Sequence, residues 1–123
     1  MNQGTNKKQM ILTVFNKKLM EFVKEVIEMY PENKDFKSMR TQLRMIMNNV
    51  ETLPIEKFKK YVAVKYRKYI DEKDEQFFLQ LDLTGTPFEG FNYLKDMWKT
   101  TTPTTKNAMW KYVELLTKLS DKY

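Results

Sequence analysis

The sequence predicts an all-α fold, a compact single-domain bundle of about five helices. Apolar residues recur at three- and four-residue steps through five segments, the period of a helix with one buried stripe. Only three Gly and four Pro interrupt 123 residues, which favours long regular segments over a many-turned β-sandwich. Hydrophobic residues make up 41% of the chain, enough for a packed interior, while 123 residues leave no room for a second independent core.

Residues 1–9 have no periodicity and predict a flexible N-terminal tail ahead of a single helical domain over 10–123. The first helix is expected over residues 10–29, with Leu12, Phe15, Leu19, Phe22, Val23, Val26, Ile27 and Tyr30 on one stripe. Pro31 stops it, because the residue before a proline is pushed out of the helical region. Asn33 or Asp35 caps a second helix over 35–49, burying Phe36, Met39, Leu43, Ile46, Met47 and Val50. Pro54, acceptable in a first turn, opens a third helix to residue 70 with Ile55, Phe58, Val62, Tyr66 and Tyr69 inward.

Residues 71–83 read two ways. Asp71, Asp74 and Glu75 suit a helix start, where acidic side chains meet the positive end of the helix dipole. Phe77, Leu79, Leu81 and Leu83 also alternate with other residues as in a strand. A lone strand has nothing to pair with, so a short helix running into an extended segment is the preferred reading. Thr84-Gly85-Thr86-Pro87 is a loop. A fourth helix follows over 88–99, with Phe88, Phe91, Leu94 and Trp98 inward and Gly90 near its start. Residues 100–103 form a linker and cap. The last helix, over 104–121, turns Met109, Trp110, Val113, Leu116 and Leu119 inward.

The chain has no Cys and no His, which excludes thiolate and imidazole catalysis, zinc fingers and disulfides. Asp71, Asp74 and Glu75 would share one helical face, but they lack the alternating ligands, central Gly and terminal Glu of a calcium loop. Thr84 to Phe88 has one Gly and no following Gly-Lys, so it is not a phosphate loop. No catalytic residue, metal site, cofactor or small-molecule substrate is therefore expected, and the protein is read as non-enzymatic. The apolar run from Met10 to Phe15 is too short to span a bilayer and lacks a small-residue cleavage site. The expectation is an intracellular protein with no membrane insertion.

Two surfaces remain as candidates. The net charge of +6 is uneven: residues 51–70 carry +4 and residues 71–94 carry −5. At 100° per residue, Lys57, Lys60, Arg67 and Lys68 fall together opposite the core stripe, with Val64 among them, Lys65 at the border and Tyr61 on the flank. Such a row could contact successive phosphates, and Tyr61 could stack on a base, although an amphipathic helix must put something polar outside in any case. The second surface is aromatic. Tyr93 and Tyr112 fall off the main stripes in an aromatic-rich C-terminal half, as exposed anchors for a protein partner would. The leading expectation is a protein–protein interaction or structural protein using Tyr93 and Tyr112. The alternative is a small basic nucleic-acid-associated protein using the 57–68 helix face.

Phe15-Asn16 with Leu19 and Phe22, Tyr30-Pro31, Asp35-Phe36, Asp74-Glu75-x-Phe77-Phe78-Leu79 and Trp110-Lys111-Tyr112 form a further pattern. Over residues 10–120 it resembles small helical proteins of unassigned activity from nucleocytoplasmic large DNA viruses. These motifs are hydrophobic anchors and helix starts. The resemblance implies expression in an infected cell, in host cytoplasm or virion, and carries over no catalytic residue.

Overall fold

The computed structural model describes the backbone of residues 3–123 and the side chains from Lys7 onward. Among the described residues there are seven α-helical stretches and no strand. Helix α1 (Gln3–Met29) is the long axis of the molecule. It ends at the Tyr30-Pro31 turn, and Asn33 caps α2 (Lys34–Asn49) by accepting from the backbone N–H groups of Asp35 at 2.8 Å and Phe36 at 3.2 Å. Pro54 lies in the first turn of α3 (Leu53–Phe58), which continues as a π-helix (Lys59–Val64) and then as α4 (Arg67–Asp71). A one-turn α5 (Gln76–Leu79) leads into an extended segment and the 84–87 loop. Two 3₁₀ turns, Glu89–Tyr93 and Trp98–Thr100, flank α6 (Leu94–Met97). Thr102 then caps α7 (Pro103–Lys122) through its hydroxyl.

Helix α7 runs antiparallel along α1. Phe22 stacks on Tyr112 at 5.0 Å, and at the other end the Lys8 ammonium lies 5.3 Å from the Tyr123 ring. The corner after α2 folds back on α1, where the Asn16 and Gln9 side chains donate to the Glu51 carbonyl and carboxylate at 3.0 and 3.1 Å. Residues 53–100 fill the space over this frame. Phe58 meets Phe15 edge-on, Phe91 stacks on Phe22, and Phe77, Phe78, Trp98 and Trp110 form one aromatic cluster. All these elements feed a single core. Gly90 is where α2 and the first 3₁₀ turn come closest, since a Cβ there would lie 3.0 Å from Met39 and 3.2 Å from the Asp35 carbonyl oxygen.

The short helix and extended run after residue 75 agree with the sequence. Leu81 and Leu83 point inward while Asp82 points out, the alternation of a strand without a sheet. The backbone is satisfied by side chains instead: the Asp82 N–H donates to the Tyr66 hydroxyl at 3.0 Å and the Leu83 N–H to Asn92 Oδ1 at 2.7 Å.

Several expectations need correction. The first helix starts at Gln3, not residue 10, so the tail expected over 1–9 is helical from Gln3, and Met1 and Asn2 lie outside the described residues. No Pro stands in this stretch to break the helix, and Gln9 is held by Glu51. Val50 is exposed because α2 ends at Asn49, just before it. Asp71 closes α4, and a turn with Lys73 at φ 50° separates it from Asp74, so Asp71, Asp74 and Glu75 do not share one helix. Asp74 instead accepts from the Gln76 N–H at 2.9 Å and starts α5. In the third helix, Tyr69 packs half-buried against the core as expected, and Ile70 beside it is buried as well. The π-helix within this segment bears on the basic face.

Candidate functional site

A π-helix has more residues per turn than an α-helix, so it shifts the phase of everything after it. Its effect is legible in burial. Phe58, Val62, Tyr66 and Ile70 are all buried at intervals of four, so one buried row runs from α3 through the π-helix into α4. Lys60, Val64 and Lys68, two residues out of step with that row, form the outward ridge, and Val64 is 63% exposed. One shoulder carries Lys57, Tyr61, Lys65 and Tyr69. The other carries buried Ala63 and then Arg67, turned toward α7.

The four predicted cations therefore separate. Lys60 and Lys68 share the ridge, and Lys57 sits beside it. Arg67 does not belong to the face: its guanidinium donates to both carboxylate oxygens of Asp121 at 2.6 and 3.0 Å. That pair raises the Arg67 pKa, chiefly through the hydrogen bond to Asp121. Lys65, expected at the border, joins the shoulder. Among the described residues, Lys57, Lys60, Lys65 and Lys68 enter no ion pair with a carboxylate. Three of them lie near tyrosine rings instead: Lys57 and Lys60 at 5.7 and 5.2 Å from the Tyr61 centroid, Lys65 at 5.4 Å from that of Tyr66. The result is a ridge and shoulder of four lysines outside any ion pair among the described residues, with half-buried Tyr61 between two of them.

The aromatic surface also divides. Tyr112 is not a free anchor, because its ring lies on Phe22 at an interplanar angle of 6° and its hydroxyl donates to Glu25 at 2.8 Å. Loss of solvent around the phenol, and then the Glu25 carboxylate, push its pKa up to about 12. An unfolded tyrosine titrates near 10, so the neutral phenol stabilises the fold fully below about pH 10. That contribution is lost as pH rises through 12. An alkaline melt series on the wild type and Tyr112→Phe should show a larger loss in the wild type between those values, and parallel curves would contradict it.

Tyr93 is 41% exposed. It edges a polar groove of about 300 Å³ between the start of α2 and the 84–93 segment, lined also by Asp35, Gln42, Thr86 and Glu89. The negative field there, from Asp35 first and from Glu89 and Asp96, raises the Tyr93 pKa. The other exposed large apolar side chains, Met10, Val14, Met45, Val50 and Val64, are spread over α1, the end of α2 and the ridge. They do not form a surface with Tyr93 or Tyr112.

No group of three or more carboxylates able to hold a metal ion occurs among the described residues, and no described helix is long and apolar enough to cross a membrane. An apolar cavity of about 20 Å³ is lined by side chains such as Phe58, Phe77 and Leu83. The chain matches no family model, no curated protein and no solved structure.

Proposed function

We propose that this protein is a non-catalytic nucleic-acid-associated protein that docks through the ridge and shoulder of Lys57, Lys60, Lys65 and Lys68. The observation that carries this reading is four lysines on one side of a helical segment, none of them in an ion pair among the described residues, with only Lys65 in the field of a carboxylate, Asp82. Counterions released from a phosphate backbone drive such binding, and unpaired lysines meet phosphate without first breaking an internal ion pair. A place in an infected cell or virion, implied by the resemblance to large DNA virus proteins, belongs to the same proposal.

A protein-partner reading keeps one specific support, exposed Tyr93 beside the polar groove. It loses Tyr112, whose ring and hydroxyl are already occupied within the fold.

The test is fluorescence anisotropy with a labelled oligonucleotide over a salt series. Micromolar binding near physiological salt is expected, weakening steeply as salt rises. Lys60→Gln with Lys68→Gln should weaken it about ten- to thirtyfold and flatten the salt slope by about one and a half to two charges. Affinity unchanged in that variant would sink the reading. Tyr93→Ala should leave nucleic-acid binding as it is.

A further inference from the structure

We infer that the nucleic acid taken by this surface is single-stranded, with a base stacked on Tyr61 while the ridge lysines hold the flanking phosphates. The inference rests on the nucleic-acid reading of the same face and deepens it. Two features of the segment carry it.

The first is the interleaving of charge and ring. Along the shoulder the order is Lys57, Tyr61, Lys65, Tyr69, so an aromatic follows each lysine one turn later. A duplex hides its base faces inside the stack and gives such a row nothing to do. A single strand exposes them, and a positively charged track with stacking rings is how proteins hold single strands without reading sequence. Tyr61 is half-buried, so its ring is held in place, and two ammonium groups lie 5.2 and 5.7 Å from its centroid. Both ammonium groups lie over the ring, so a base that stacks there takes their place, and Lys57 and Lys60 move off it onto the flanking phosphates. Further along, the Tyr69 hydroxyl donates to Gln80 at 3.2 Å, which fixes the second ring.

The second feature is the π-helix. It is a costly deviation, and such turns concentrate at functional sites. It spans Lys59–Val64 between α3 and α4 and turns wider than an α-helix, so it offsets part of the drift of about 40° per step that positions four apart show in a regular α-helix. Cations four residues apart in one row recur about every 6 Å, well beyond the roughly 3.4 Å step of a stacked strand. That spacing suits a strand whose bases are spread apart.

The experiment compares an oligothymidylate with a duplex of equal length, at one salt concentration, on the full chain. The wild type should bind the single strand about tenfold tighter or more. Tyr61→Leu should lose about tenfold for the single strand, leave weak duplex binding unchanged and leave the salt slope unchanged, since no charge is removed. Tyr61→Phe keeps the ring and should keep the affinity. Duplex binding as tight as single-strand binding, or a Tyr61→Phe loss equal to that of Tyr61→Leu, overturns the inference while leaving the nucleic-acid reading standing. Binding of neither probe overturns both.

Discussion

Phe78→Ala is expected to lower the stability of the fold by about 3–5 kcal/mol, the range for removing a fully buried aromatic side chain. Phe78 is 1% exposed and touches aromatic rings on three sides. It stacks on Trp98 at 4.0 Å and meets Phe77 and Trp110 edge-on at 4.9 and 5.0 Å. Each such pair adds about 0.5–1.5 kcal/mol beyond its buried area. The void will not close easily, because Phe78 already borders the apolar cavity of about 20 Å³. Truncation enlarges an existing hole among rigid rings. Trp98 has a second anchor, its indole N–H donating to Glu75 at 2.9 Å, so it will not swing in to fill the space. Against a typical total of about 5–15 kcal/mol, the loss is a large share, and the melting temperature should fall by more than about 10 °C. Denaturant unfolding of the two proteins measures it. A loss below about 1 kcal/mol would mean that the cluster is not the centre of the core.

Much of this architecture is legible in the sequence, and the reasons are local. Pro31, Asn33, Pro54 and Thr102 act through the backbone beside them, so helix ends follow from a few neighbouring residues. The buried stripes of α1, α2 and α7 follow from periodicity in helices long enough to display it. The extended run over 81–83 is half legible: its alternation is plain, but the groups that satisfy its backbone, Tyr66 and Asn92, come from other elements. Tyr112 could not be placed from α7 alone. It is off that helix's stripe because it serves a contact with Phe22 of α1, and which helices pair is a property of the whole chain.

The basic face failed for a different reason. A fixed 100° per residue does not hold through Lys59–Val64, where the backbone is a π-helix. One signal is present: Phe58, Val62, Tyr66 and Ile70 are large apolar residues at an unbroken interval of four, which a regular α-helix would spread across about a third of its circumference. Tyr69 and Ile70 both face the core, while Arg67 turns to Asp121 rather than outward.

Charge reversal separates the two geometries with the largest effect on binding. In a regular α-helix Lys60 and Arg67, seven apart, would stand nearly in line; here Lys60 and Lys68, at the interval of the buried row, share the ridge. Lys60→Glu with Lys68→Glu should weaken nucleic-acid binding by on the order of a thousandfold near physiological salt, since two phosphate contacts are lost and two repulsions are added. The fold should survive, because both side chains are exposed and enter no ion pair among the described residues. Lys60→Glu with Arg67→Glu should bind better than that pair, because Arg67 is already committed to Asp121 and contributes little to the ridge. Its cost falls on the fold, where Asp121 and Asp71 would face a new carboxylate in place of the guanidinium. A half-exposed pair of this kind contributes at most about 1 kcal/mol, so that melt should shift by only a few degrees. Anisotropy titrations and thermal melts of the two double variants decide the matter. If the Arg67 variant lost as much affinity as the Lys68 variant, the four-residue ridge would be wrong and the face would wind as an ordinary α-helix.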